Sequence, residues 1–250
     1  MFWYKACGVE NVSPRVGGGK IMLHHSYPWI AVVKSKMKNG QFLNCAGSII
    51  NDRFILTAAH CLQHKLKVVE VYVAAGSHFK PYEVSEYMTA KRWIIHEKFN
   101  ARLIVNDIGI VELKVPLNFS RTVRPICLPK KGENAKGWGL TKTGASSSVL
   151  VRADIQEYSF EKCSKMWNAS KRLSSKIQIC ASSKNISSCS GDSGGPLMQK
   201  VNDKIVLAGI TSFGNKTISC GLSMNTVYAR VEPYLEWINN HTAVGKTCVH

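Results

Sequence analysis

The chain is short of acid: 16 Asp and Glu stand against 33 Lys and Arg, a formal net charge of +17 with a pI near 9.6. It has no nucleic-acid-binding motif to accompany that excess, so charge alone does not point to DNA or RNA. No apolar stretch approaches the ~20 residues a membrane helix needs, which excludes a helical span. Internal repeats and low-complexity tracts are also missing, and with them solenoids and disordered arrays. The opening Met1-Phe2-Trp3-Tyr4-Lys5 lacks the apolar core of a secretory leader, so the expected natural start lies upstream.

What is present describes a folded β protein. At 250 residues and 45% hydrophobic, the chain can bury a full core. Short runs at 29–33, 54–58, 68–73 and 205–210 are rich in Val, Ile and aromatics, with Gly, Asn, Asp and Ser clusters between them. That pattern reads as an all-β barrel or sandwich. The clearest helix is 231–241, with Val231, Tyr234, Leu235 and Ile238 on one face. Nine cysteines suit an oxidising compartment. Six N-x-S/T sequons, at Asn11, Asn118, Asn168, Asn185, Asn215 and Asn240, agree with secretion. Connectivity stays open, since eight cysteines already allow about 105 pairings.

Three segments carry chemistry. Thr57-Ala58-Ala59-His60-Cys61 offers an imidazole, Asn106-Asp107-Ile108-Gly109-Ile110 an acid at the head of an apolar run, and Ser190-Gly191-Asp192-Ser193-Gly194-Gly195-Pro196 a hydroxyl ringed by glycines. A serine hydroxyl is a poor nucleophile near neutral pH. Acyl transfer therefore needs an imidazole to take its proton and a carboxylate to fix that imidazole's tautomer. Taken alone, Gly191–Gly195 also fits the G-x-S-x-G elbow of α/β-hydrolases. There the chain order is Ser, acid, His, and only His241 and His250 follow Ser193. The order His60, Asp107, Ser193 is the chymotrypsin one.

With those segments in place, the chain resembles the trypsin/chymotrypsin-like (S1) serine proteases from about Val16 to Thr242. The resemblance extends to Tyr27-Pro28-Trp29, Cys45-Ala46-Gly47-Ser48, Arg124-Pro125-Ile126-Cys127-Leu128-Pro129, Gly137-Trp138-Gly139, Ser212-Phe213-Gly214 and Val227-Tyr228-Ala229-Arg230-Val231. It implies an all-β fold of two six-stranded antiparallel β-barrels with a C-terminal helix. Residues 1–15 would form a pro-segment and 16–250 the peptidase domain. Within that domain the first barrel would cover about 16–118, the second about 119–230 and the helix about 231–242. The implied disulfides are Cys7–Cys127, Cys45–Cys61, Cys163–Cys180 and Cys189–Cys220. Glu133 and Gln199 stand where a further family bridge would fall, and Cys248 is left over.

The same resemblance implies the roles. His60, Asp107 and Ser193 form the catalytic set, and the amides of Gly191 and Ser193 the oxyanion hole. Cleavage after Arg15 would free Val16 to pair with Asp192, although Gly17 replaces a residue that is usually apolar. Ser212, Phe213 and Gly214 line the substrate strand, with Phe213 where the family normally has Trp. Ser187 falls at the pocket floor, and Thr226 shortens the pocket. An uncharged floor disfavours Lys and Arg substrates, so the expected residue before the scissile bond (P1) is uncharged and medium-sized, such as Leu, Met or Val. No metal or organic cofactor is expected; Ala75-Gly76-Ser77-His78-Phe79 offers no acids for a calcium loop.

Expected partners are protein or peptide substrates, an activating trypsin-like protease and protease inhibitors. The expected location is extracellular. Basic runs at Lys34/Lys36/Lys38, Lys65/Lys67, Lys130/Lys131 and Lys171/Arg172/Lys176 suit either an ordinary solvated surface or attraction to sulfated glycosaminoglycans. The rival class on the same fold is a catalytically silent, cationic binding or regulatory protein.

Overall fold

Alternation shapes the second half of the first strand. In β1, Ile30–Met37, Val33 and Ser35 are fully buried and Met37 nearly so, while Lys34 and Lys36 face outward. That is the period of two a half-buried strand imposes. The other strands are β2 (Phe42–Ile49), β3 (Phe54–Thr57), β4 (Val68–Ala75), β5 (Met88–Ile95) and β6 (Gly109–Leu113), of which β3 and β6 are buried at every position. These six antiparallel strands close into a barrel in the order β1-β2-β3-β6-β5-β4. Ile49, Phe54, Ile55, Leu56, Ile110 and Leu113 fill its core. The computed structural model describes residues 7–11, 26–76, 86–132, 156–157, 159–166, 173–182, 192–214 and 226–243.

The second half is a five-stranded antiparallel sheet among the described residues, one strand fewer than the six-stranded second barrel expected. Its order is β7 (Gln156–Glu157), β8 (Gln178–Ser182), β11 (Thr226–Arg230), β10 (Lys204–Phe213) and β9 (Pro196–Val201). The β9–β10 hairpin turns through Asn202 and Asp203, both at positive φ. That is the two-residue geometry whose twist matches the flanking strands. Helices are few and short: α1 (Ala59–Leu62), α2 (Phe160–Met166) and α3 (Leu235–His241), the last preceded by a 3₁₀ turn at Glu232–Tyr234. Of the expected helical face, Val231, Tyr234 and Ile238 are buried and Leu235 half-buried. Among the described residues no helix is long and apolar enough to cross a membrane.

Specific bonds hold the halves together. Trp29, wholly buried, donates its indole N–H to Met198 Sδ at 3.0 Å. The chain near the N-terminus reaches across as well: Gly8 N–H bonds Pro125 O at 3.0 Å and its own carbonyl accepts from Ile205 N–H at 2.8 Å. Disulfides join Cys7 to Cys127, Cys45 to Cys61 and Cys163 to Cys180. The expected Cys189–Cys220 pair and Cys248 lie outside the described residues.

The glycine after Ser193 admits no side chain. Gly194 has φ +79°, and a Cβ there would sit 2.2 Å from Thr57 Oγ1 and 2.4 Å from Ala46 O. Both obstacles belong to the barrel wall, so neither can swing aside. Gly194→Ala is expected to lower stability by about 3 kcal/mol or more, from backbone strain plus overpacking. A urea midpoint within error of the parent's would contradict this.

Candidate active site

The imidazole sits on a single helical turn. α1 is too short to be stable alone and is pinned from two sides. Cys61 is bonded to Cys45 of β2, and its carbonyl accepts from the buried Ser35 Oγ of β1 at 2.7 Å. His60, next to Cys61, therefore occupies a fixed place with its side chain 29% exposed, enough to meet a substrate.

The acid comes from the chain entering β6. Asn106 takes a left-handed conformation, φ +54°, which Asn tolerates better than most residues. Its side chain is tied at both ends: Nδ2 donates to Lys98 O at 2.7 Å, and Oδ1 accepts from Tyr234 Oη at 2.9 Å. Asp107 follows, 1% exposed. Its Oδ1 accepts the backbone N–H of His60 at 2.9 Å, and its Oδ2 accepts from His60 Nδ1 at 2.7 Å and from Ser212 Oγ at 2.5 Å. An ionised carboxylate can only accept. Nδ1 therefore carries the proton, and Nε2 of the neutral ring is left as a base.

Ser212 reaches Asp107 because β10 bulges. Thr211 pairs with Tyr228 and Phe213 with Val227, leaving Ser212 as the extra residue. Bulges re-aim side chains in this way beside functional sites. Nothing in the sequence signalled that this hydroxyl would serve the acid; the expected role for Ser212 was substrate binding alone. Phe213 and Gly214 follow, half-buried, and Thr226, at the head of β11 opposite Ala181, is buried.

Ser193 is brought to the same wall by its backbone. Its carbonyl accepts from Ala46 N–H at 2.8 Å, Gly194 N–H bonds Thr211 O at 2.8 Å, and Gly195 N–H bonds Asp192 O at 2.9 Å. Cys45 is thus linked to the histidine's helical turn while its neighbour Ala46 is linked to the serine. Among the described residues no hydrogen bond joins His60 Nε2 to Ser193 Oγ; Nε2 instead lies 3.8 Å from Cys61 Sγ. Asp192 is buried. Gly191, Ser187, Arg15 and Val16 lie outside the described residues.

Cys45, His60 and Cys61 crowd within 4.8 Å of one another. Both sulfurs belong to one disulfide, so neither is the thiolate a metal would need.

A barrel of this topology, with a buried acid holding an imidazole beside an anchored serine, defines the class of chymotrypsin-fold serine endopeptidases. The family model "Trypsin" matches residues 16–238, and the chain belongs to that family. It is 31% identical to "Serine protease grass" of Drosophila melanogaster, over 95% of this chain and 70% of that protein. "CLIP domain-containing serine protease B4" of Anopheles gambiae is 30% identical, over 94% and 72%. The crystal structure of the Drosophila Grass clip serine protease of the Toll pathway superposes with a TM-score of 0.78 at 28% identity, covering 95% of this chain and 75% of that one.

The acid loop is also clamped from outside. His96 packs edge-on against Tyr234, with ring centroids 5.1 Å apart, and against Trp237 at the same distance. Trp237 meets His241 at a tilt, with ring centroids 4.9 Å apart, and donates its indole N–H to the Glu97 carboxylate at 3.0 and 3.1 Å. Burial, with smaller contributions from Lys98 and His241, holds His96 below the ordinary imidazole range against the opposing pull of Glu97. The folded state therefore prefers neutral His96. Its contribution is complete above the unfolded pKa of about 6.5 and is lost as pH falls through and below it. Thermal unfolding between pH 7.5 and 5, compared with His96→Phe, should show the wild type losing more stability on acidification. Parallel curves would rule the titration out.

Proposed function

We propose that the protein is a secreted serine endopeptidase made as a zymogen, with His60, Asp107 and Ser193 as its catalytic residues. The observation that carries this reading is the buried Asp107 carboxylate gripping both the backbone and Nδ1 of His60, with the Ser193 carbonyl bonded to Ala46, the neighbour of Cys45, which is disulfide-linked to Cys61 beside that histidine. Ser193 Oγ attacks the peptide carbonyl as its proton passes to His60 Nε2, giving a tetrahedral intermediate. The amides of Gly191 and Ser193 receive the oxyanion. His60 returns the proton to the leaving amine as the C–N bond breaks, and water then repeats the sequence on the acyl-enzyme. Asp107 stays ionised throughout and stabilises the imidazolium.

Residues 1–15 are read as the pro-segment and 16–250 as the peptidase domain. The Cys7–Cys127 disulfide supports this, because it would keep the pro-segment attached after cleavage at Arg15. The new ammonium of Val16 would pair with Asp192 and set the neighbouring oxyanion amide. Serine at 187 and threonine at 226 favour uncharged, medium-sized P1 residues. One methylene in such a pocket is worth only about 1–3 kcal/mol, so selectivity among Leu, Met and Val should be modest. Macromolecular inhibitors and an upstream trypsin-like activator are the natural partners of this scheme.

Cleavage after Arg15 followed by an organophosphate label tests the reading. Labelling should fall on Ser193 and vanish in Ser193→Ala, with turnover down on the order of a million-fold. Arg15→Gln should give a folded chain that neither labels nor turns over. A cleaved wild type that does not label would favour the silent homologue, and full activity of Arg15→Gln would remove the zymogen step. A P1 library on the cleaved chain should rank Leu, Met and Val above Lys and Arg.

A further inference from the structure

Two of the lysine runs meet on one face of the barrel. Lys34 and Lys36 point outward from β1, where Lys34 lies opposite Asn44 and Tyr72, and Lys36 opposite Phe42 and Glu70. Lys38 begins the turn to β2, and its N–H bonds Lys67 O at 2.9 Å. That contact joins the β1–β2 turn to the turn at 64–67, which carries Lys65 and Lys67. Lys38, Lys65 and Lys67 are all exposed. The carboxylate among these residues, Glu70, is already held by Lys36 Nζ at 2.7 Å and Tyr72 Oη at 2.9 Å. Glu86 is exposed at the margin, next to Tyr87.

The face is not only basic. Phe42 is 46% exposed, and Leu66 and Val69 are each 40% exposed. Val69 is turned out by a bulge, because β4 slips register between the pairs Lys36–Glu70 and Met37–Val68. Lys34 Nζ stands 4.4 Å from the Phe42 ring centroid and 5.2 Å from that of Tyr87, so the aromatic surface is interleaved with charge rather than set apart. Solvated lysines need no such companions, and charge alone would hold a sulfated polysaccharide without exposed Leu66 and Val69.

We propose that this face, Lys34, Lys36, Lys38, Lys65 and Lys67 around Phe42, Leu66 and Val69, docks an acidic protein segment carrying apolar side chains. Acidic groups on the partner match the lysines, and its apolar side chains remove Phe42 and Leu66 from water. The face adjoins the active site through two short paths. Its 64–67 turn begins four residues after His60, and Ser35, between Lys34 and Lys36, bonds Cys61 O. Docking here therefore sets a protein partner beside the cleft without occupying it. The proposal does not depend on the acyl-enzyme scheme and is tested on a chain that cannot perform it.

The probe is a short labelled peptide of Asp and Glu bearing one Phe and one Leu, bound to the Ser193→Ala chain and followed by fluorescence anisotropy. It should bind, weaken steeply with salt, and lose roughly tenfold or more in affinity when its Phe and Leu become Ser. Lys38→Glu/Lys65→Glu/Lys67→Glu should weaken it by at least roughly tenfold and flatten the salt dependence. Phe42→Ser should weaken it at unchanged salt dependence. Circular dichroism and thermal unfolding of these surface variants should match the parent, as should turnover of a small chromogenic substrate when Ser193 is restored. Equal binding of the two peptides overturns the proposal. So does tight heparin binding that survives Phe42→Ser while neither peptide binds, which would mark a polysaccharide site. Absence of binding by any of the three leaves a merely solvated face and overturns it as well.

Discussion

A carboxylate removed from water must be compensated on the spot, and Asp107 organises much of this molecule around that need. Left without partners, a buried charge costs several kcal/mol. Three donors meet it: the His60 amide, His60 Nδ1 and the Ser212 hydroxyl. They come from two distant parts of the chain, α1 for the first two and the bulged end of β10 for the third. Satisfying one anion thus brings the six-stranded barrel and the second sheet into a common register, and it fixes the tautomer on which the proposed chemistry relies.

The supports around that centre are covalent or sterically rigid. The Cys45–Cys61 disulfide and the Ser35–Cys61 hydrogen bond hold a helical turn that propensity alone could not maintain. Gly194 packs against Thr57 and Ala46 with no room for a Cβ, so the serine loop has one way to lie. At the rear, Tyr234 grips Asn106 and Trp237 grips Glu97, coupling the C-terminal helix to the segment that presents the acid. The helix that reads in sequence as a simple packing element is thereby part of the acid's scaffold.

The surplus of positive charge is unevenly spent. Lys91 and Arg92 of β5 both close on Glu112, a carboxylate only 4% exposed. The hydrogen bond from Lys91, reinforced by Arg92 and opposed by burial, holds its carboxyl below the ordinary range. Those two cations are structural. Lys38, Lys65 and Lys67 are exposed beside Phe42 and Leu66, so composition gives the total while pairing decides which charges remain open to a partner.

Much of this was legible in the residues themselves. Strand runs at 29–33, 54–58, 68–73 and 205–210 overlap β1, β3, β4 and β10, because strands buried over most of their length leave short runs of Val, Ile and aromatics in the local composition. The order His60, Asp107, Ser193 separated the chymotrypsin arrangement from the hydrolase one, since chain order is a property of sequence. The serine-protease class and the β fold followed from motifs of that kind. Other features had no local signal. A bulge that turns Ser212 toward Asp107, a tyrosine 128 residues from Asn106 in sequence yet bonded to it, and two lysine runs joined through the Lys38 backbone N–H all arise from strand register and packing. Sequence by itself determined which reactive groups this protein carries and which strands would bury them. Tertiary structure alone decided which of those groups meet, because hydrogen-bond partners for a buried charge are selected by distance across the fold and not along the chain.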